Sequence, residues 1–380
     1  MSFLQLLNES TKKKWTFESP MPIQEKMIPE MLEGKDIVAQ SPTGTGKTLA
    51  YVLPLLQLVD GTRQQTQALI VTPSQELSMQ IVEVVREWTE GTPITVAQLI
   101  GGANMQRQIE KLKKKPTIVV GTPGRLNELI KAKKLKMHDI RYLILDEGDQ
   151  LLSREHRVVS KSFIDQANPE KQIVLVSATV TEEIELVADR MMDEPVHIKV
   201  EAQELPELGT VVHSFIKVDV RDKTELLRRI SHIEGIRALA FVNHMDQLLM
   251  KETKLKFRDA QIVALHSEMK KEERKNALDS FRKGEVRVLL STDVAARGLD
   301  IEGLTHVIHV DVPKKTEQYL HRSGRTGRAG ADGEVLTLLT YNDEKDYKKL
   351  TKSLGEKPVQ KIWHKGKIIE GNSKTVSKKG

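Results

Sequence analysis

Two short stretches carry residues whose types and spacing suit chemistry on a phosphorylated ligand. The first is SPTGTGKT (41–48), which follows the apolar run DIVAQ and opens a helical pattern. Gly44 and Gly46 let backbone N–H groups come close to phosphate oxygens. The helix start beside them adds the positive end of a dipole. Lys47 would then reach the β- and γ-phosphates, and the Thr48 hydroxyl would coordinate Mg2+. Ser41, Thr43 and Thr45 fill out the loop that would hold a nucleotide. Ser41 stands where the strict G-x-x-x-x-G-K-[ST] pattern has glycine, so that pattern is missed by one residue. The plain alternative is a glycine-rich turn that only caps a helix.

The second stretch is LILDEGDQLL (143–152), an apolar run that ends in three carboxylates and a glycine. A phosphate loop needs a second strand end that brings carboxylates for Mg2+ and for water. Asp146 suits the metal. Glu147, one residue on, suits a base that orients and activates the attacking water. A calcium loop is excluded: counted from Asp146, its third, fifth and twelfth positions are Gly148, Gln150 and Arg157, so the third has no side-chain oxygen and the twelfth is a cation where a bidentate acid is needed. Later in the chain, HRSGRTGR (321–328) supplies arginines whose planar, permanently charged forks suit phosphate. A solvated or RNA-facing basic segment is the alternative there.

These residues need elements to position them. Short apolar runs alternate with helical stretches along most of the chain. In the first half the strand candidates are 36–40, 67–72, 117–121, 141–146 and 172–177; in the second they are 211–218, 237–242, 261–266, 286–291, 305–310 and 334–340. Helical patterns at 74–88 and 123–132 lie between them. Unbroken apolar strands separated by helices imply an α/β fold, with mostly parallel sheets covered on both faces. Such sheets bind ligands at the carboxyl ends of their strands. The stretch 201–210 loses apolar periodicity and contains Pro206 and Gly209, so it reads as a linker between domains at 1–200 and 211–357. Residues 358–380 are basic and poor in periodicity, and read as a partly disordered tail.

The 380 residues suffice for two domains of ordinary size. The absence of cysteine excludes disulfides and thiolate metal sites and suits a reducing cytoplasm. Neither a secretory signal nor an apolar span long enough for a membrane is present, so no membrane association is expected. A net charge of +6 hints at a polyanionic partner.

Taken together, the motifs resemble those of the DEAD-box RNA helicases of the short bacterial type, which lack a dedicated C-terminal RNA-binding domain. The resemblance covers residues ~15–355 and rests on an ordered series. That series is FESPMPIQ (17–24), SPTGTGKT, PSQELSMQ (73–80), GG (101–102), TPGR (122–125), DEGD, SAT (177–179), FVNH (241–244), STDVAARGLD (291–300) and HRSGRTGR. It implies two tandem RecA-like domains that bind ATP and RNA across their cleft. It further implies that Phe17 stacks on adenine and Gln24 bonds its edge. Asp300 would accept from the ribose hydroxyls, with Gly298 allowing close approach. Arg325 and Arg328 would act as arginine fingers. Asp149, Ser177, Thr179 and His321 would couple ATP to domain closure. RNA would be held through phosphate and sugar by Pro73, Gln75, Gly101, Gly102, Thr122, Gly124, Arg125, Arg274 and Thr292, with little sequence preference. The expected protein is a cytoplasmic monomer that hydrolyses ATP to separate short RNA duplexes, with pre-ribosomal particles as its setting.

Four departures from the family pattern stand out: Gly148 for Ala in the box, Ser74–Gln75 for Thr–Arg, Ser267 and Lys271 in LHSEMKKEER (265–274), and Met21 for Thr. Gly148 leaves all three carboxylates in place, so near-normal ATPase chemistry is expected from a looser backbone. Gln75 loses a charge at an RNA-facing position, so weaker RNA affinity through the first domain is expected. Three other readings compete: a nucleotide-gated RNA clamp with little unwinding, a DNA translocase, and a purely structural ATP-binding protein. An mRNA-decay or cold-adaptation role is the alternative setting.

Overall fold

The computed structural model describes residues 3–201, 204–205, 209–296, 301, 303–327 and 330–371. The chain divides into two compact units, Met1–Pro206 and Glu207–Gly380. Much of the expected linker and all of 372–380 lie outside the described residues.

In unit 1 seven strands form one parallel sheet: β1 (Ile37–Gln40), β2 (Ala68–Val71), β3 (Val96–Leu99), β4 (Ile118–Gly121), β5 (Tyr142–Asp146), β6 (Gln172–Ser177) and β7 (Val196–Lys199). Their order across the sheet is β3-β4-β2-β5-β6-β1-β7. Alternate residues of a strand point to opposite faces. Ile37, Ala39, Ile70, Val120, Ile144 and Val174 accordingly enter one apolar cluster. Val38, Leu69, Val71, Val119, Leu143 and Leu175 enter another. Two cores, one on each face, explain why the central strands read as unbroken apolar runs. β3 and β7 did not read that way. They are the two edges of the sheet, with part-exposed residues and polar side chains such as Gln98 and His197 interrupting them.

Unit 2 repeats the plan with β8 (Val211–Lys217), β9 (Ala238–Val242), β10 (Ile262–Leu265), β11 (Val288–Thr292), β12 (His306–His309), β13 (Gly333–Leu339), β14 (Val359–His364) and β15 (Lys367–Glu370). Their order is β10-β11-β9-β12-β13-β8-β14-β15, and only β14 and β15 pair antiparallel. The first six strands of each unit are wound in the same order, β8 to β13 standing where β1 to β6 stand in unit 1. Residues 359–370, expected as the start of a basic tail, instead form a hairpin that extends this sheet. Lysines masked its apolar residues in the sequence, yet Trp363 and Ile368 pack on the unit's core. Lys361 is satisfied by Glu334 at 2.7 Å.

Candidate active site

The carboxyl edge of the unit 1 sheet collects most of the residues with chemistry. SPTGTGKT leaves β1, and the Ser41 backbone N–H donates to the Ser177 carbonyl at the end of β6. Gly44 and Gly46 both take φ of +80°, in the left-handed region glycine favours. A Cβ at Gly46 would also lie 2.5 Å from Gln24 Nε2, so the loop and Gln24 are packed without room for a side chain. Gln24 is buried in the first turn of the helix Pro22–Leu32; its Oε1 accepts from the Met21 N–H at 2.9 Å, and its Nε2 donates to the Gly46 carbonyl at 3.3 Å. Ser41 and Thr45 hydroxyls pair at 2.6 Å inside the loop. Thr43 lies in the loop between them. Lys47 opens the helix Lys47–Leu58 and folds back onto the Ser41 and Pro42 carbonyls, at 2.7 and 2.6 Å. Its ammonium is thus held at the loop by groups that a stronger acceptor such as phosphate would replace. Phe17 is 52% exposed and stands edge-on to Trp15, so it is no core aromatic.

Asp146 ends β5 and is only 4% exposed. Burial raises its pKa. The Tyr51 hydroxyl, the charge of Lys47 and the Glu147 N–H oppose that rise, and Asp149 adds to it. Tyr51 Oη donates to Asp146 Oδ2 at 2.8 Å, and the Glu147 N–H donates to Oδ1 at 2.8 Å. Glu147 sits at φ 52°, ψ 53°, a left-handed conformation costly for a residue with a side chain. That turn ends the strand at once and starts the short helix Gly148–Leu151. The Glu147 carboxylate accepts from Gln150 Nε2 at 2.9 Å. Asp149 turns to β6, where its two oxygens accept from the Ser177 and Thr179 hydroxyls at 2.8 and 2.9 Å. Gly148 is not a loosened joint. It is buried against Leu175, whose side-chain carbons lie 2.5–3.0 Å from where a Cβ would stand.

These residues fit a nucleotide and Mg2+. Thr48 and Asp146 offer the hard oxygens Mg2+ prefers, and it usually takes one or two carboxylates with the remaining ligands from water and substrate phosphates. Among the described residues no group of three or more His, Asp or Glu converges, so a metal here would be shared with phosphate rather than caged by protein.

The other half of the same edge, at the ends of β2, β3 and β4, carries Pro73, Gln75, Gly101, Gly102, Thr122, Gly124 and Arg125. Gln75 begins the helix Gln75–Thr89 after the cap Ser74, and positions beside Gly101 and Gly102 lie 3.8 Å from its Nε2. Arg125 donates to the Ala103 carbonyl at 3.0 Å and pairs with Glu128, tying TPGR to the glycine loop. A Cβ at Gly124 would meet nothing within 4 Å.

In unit 2, Arg274 donates to the Ala295 carbonyl at 2.9 Å, and the Thr292 hydroxyl accepts from the Ala295 N–H at 3.4 Å, so both gather at the end of β11. His321 lies on the helix Thr316–Ser323, and Arg325 Nε donates to its carbonyl at 3.3 Å. Gly298, Asp300 and Arg328 lie outside the described residues. A cavity of ≈730 Å3 opens among Asn243, Asp311, Lys314, Lys315, Asp343 and Lys349, and none of the residues expected to act on nucleotide or RNA lines it.

Two residues escaped the sequence reading. Tyr51 looks like any core aromatic; its only signal is a position four residues after Lys47. Arg322, in HRSGRTGR, is fully buried. It forms two 2.6 Å bonds to Asp293, donates to Asn243 Oδ1 and the Asp311 carbonyl, and lies over the Phe241 ring. It therefore binds the ends of β9, β11 and β12 together.

Comparison with known proteins agrees with this geometry. The DEAD/DEAH box helicase family matches residues 21–187, and the helicase conserved C-terminal domain matches 222–330. The chain is 45% identical to the probable ATP-dependent RNA helicase YfmL of Bacillus subtilis, over 96% of this chain and 98% of that protein. It is 43% identical to the DEAD-box ATP-dependent RNA helicase CshC of Bacillus cereus, over 97% of this chain and 94% of that one. The structure of S. cerevisiae Dbp5 bound to RNA and ADP BeF3 superposes with a TM-score of 0.84 at 27% identity, covering 95% of each chain. The fold is thus two RecA-like α/β domains, and the chain belongs to the bacterial-type DEAD-box family of ATP-dependent RNA helicases.

Proposed function

We propose that this chain binds ATP with Mg2+ through Lys47, Thr48 and Asp146, hydrolyses it with Glu147 as base, and uses the cycle to separate short RNA duplexes or remodel RNA–protein particles. The observation that carries the reading is the division of the three carboxylates after β5. Asp146 is held by Tyr51, Glu147 stands on a strained turn, and Asp149 is bonded to the SAT hydroxyls. Mg2+, when bound, neutralises charge on the phosphates. Gly44 and Gly46 present backbone N–H groups to the phosphates, and Lys47 transfers its bonds from the loop carbonyls to them. Phe17 and Gln24 hold the adenine. Glu147 orients water and accepts its proton. Arg325, with Arg328, supplies guanidinium charge to the phosphoryl group being transferred. Asp149 relays the state of the carboxylate run to Ser177 and Thr179, at the end of the neighbouring strand. Asp300, with Gly298, takes the ribose, and His321 joins the coupling group.

RNA is held at its backbone by the residues at the ends of β2, β3 and β4 with Arg274 and Thr292, which requires no base sequence. That mode suits a monomer acting on varied RNA, with pre-ribosomal particles in the cytoplasm as the proposed setting. Among the described residues no helix is long and apolar enough to cross a membrane. Glu147→Gln should keep ATP binding and lower RNA-stimulated hydrolysis by about 100-fold or more, the share a general base commonly supplies. Hydrolysis left intact would end this mechanism. Displacement of a short RNA duplex by the unaltered protein with ATP is expected; binding without displacement would favour the clamp. Crosslinking to cellular RNA and sequencing the adducts tests the pre-ribosomal setting.

A further inference from the structure

Tyr51 is fully buried in the unit 1 core, where an apolar ring would fill the space equally well. Its hydroxyl is not idle. It donates to Asp146 Oδ2 at 2.8 Å. Tyr51 is three residues from Thr48 and four from Lys47, so the three share one face of the helix Lys47–Leu58. That face meets the carboxyl end of β5. The other Asp146 oxygen is fixed by the Glu147 N–H at 2.8 Å. The phenol thus holds the carboxylate offered to Mg2+ and rises from the same helix face as Thr48.

The choice of a phenol has a physical reason. A cationic partner would neutralise Asp146 and compete with the metal for its charge. Tyrosine donates a hydrogen bond and leaves the negative charge in place. A phenol keeps its proton at neutral pH and so remains a donor.

We propose that Tyr51 is a positioning residue for Mg2+: its hydroxyl fixes the Asp146 carboxylate before the metal and nucleotide arrive. The inference rests on Thr48 and Asp146 being the Mg2+ ligands. Partners that orient a metal's ligands commonly govern affinity by about 10- to 100-fold.

The test uses the full chain with Mn2+ as probe, titrated by electron paramagnetic resonance in the presence of ADP. Tyr51→Phe preserves the ring and removes the donor. It should weaken Mn2+ binding by about 10-fold or more, with ADP affinity in EDTA unchanged. Tyr142→Phe is the control. Its hydroxyl donates to the Leu58 carbonyl at 3.1 Å, at the far end of the same strand. It should lower the melting temperature and leave Mn2+ binding alone. Unchanged Mn2+ affinity in Tyr51→Phe, or an equal loss in Tyr142→Phe, would overturn the proposal. If Asp146→Asn leaves Mn2+ binding intact, the ligand assignment falls, a result distinct from failure of Tyr51 alone. Should Tyr51→Phe not fold, Tyr51→Leu carries the same expectation.

Discussion

Gly148 shows how one residue can be plain in sequence and misjudged in consequence. A missing methyl in the box reads as slack. The structure instead packs Gly148 against Leu175, which is fully buried, with no room for a Cβ. Gly148→Ala should therefore cost roughly 1–3 kcal/mol of stability, the usual cost of overpacking a core. Chemical denaturation would show it, and Leu175→Val in the same chain should recover much of the loss. Turnover should stay within tenfold, since Asp146, Glu147 and Asp149 keep their partners; a larger rise in ATPase rate would mean that the glycine restrains catalysis. At this scale the sequence made polar chemistry legible wherever residue types are rare in combination, as in SPTGTGKT and DEGD. It hid Tyr51 and Arg322. An aromatic in an apolar helix announces packing, and an arginine among arginines announces solvent or phosphate. Only the fold shows that Asp146 and Asp293 lie within reach of them.

Among elements, unbroken apolar strands were legible, β10 at the edge of its sheet included, and strands interrupted by polar residues were not. β1, β2 and β4 to β6 are covered on both faces and announce themselves as apolar runs. β3, β7, β14 and β15 are interrupted by polar residues, and in unit 2 the sheet itself satisfies some of them. Glu334 does that for the β14–β15 hairpin. From β13 it accepts from Ser214 on β8 and Lys361 on β14, and lies 3.5 Å from His306 on β12. Burial pushes its pKa up, but the His306, Lys361 and Ser214 bonds outweigh it and hold the carboxyl at about 2. An acid held below its ordinary value adds stability above pH 4.5, and this contribution fades as pH falls toward about 2. A shift of that size corresponds to on the order of 3 kcal/mol. Glu334→Gln should lose this share at neutral pH and flatten the acid limb between pH 4.5 and 2 in a stability–pH profile. An unchanged acid limb would mean that other carboxylates set it.

For the whole molecule, the carboxyl edge of the unit 1 sheet divides the two proposed tasks along one line: the carboxylates and the proposed phosphate loop at β5, β6 and β1, the loops proposed to hold RNA backbone at β2, β3 and β4. Gln75 belongs to the second group. Gln75→Arg should tighten single-stranded RNA binding roughly three- to fivefold at moderate salt, since one exposed charge pair is worth up to about 1 kcal/mol. It should also steepen the dependence of log affinity on log salt by about 0.7. Affinity unchanged across several salt concentrations would remove Gln75 from the RNA path. The shared winding order of the two units reaches further. After β8 the chain enters its helix through Lys223–Thr224, the same pair that follows β1 as Lys47–Thr48. Asp311 follows β12 as Asp146 ends β5. Yet no glycine precedes Lys223, and its ammonium is spent inside the fold, donating to the Val310 carbonyl at 2.6 Å and lying 3.8 Å from both Asp311 and Asp343. Unit 2 is thus a sealed copy of the same plan: the lysine proposed to grip phosphate in one unit has a counterpart in the other that serves as an internal rivet.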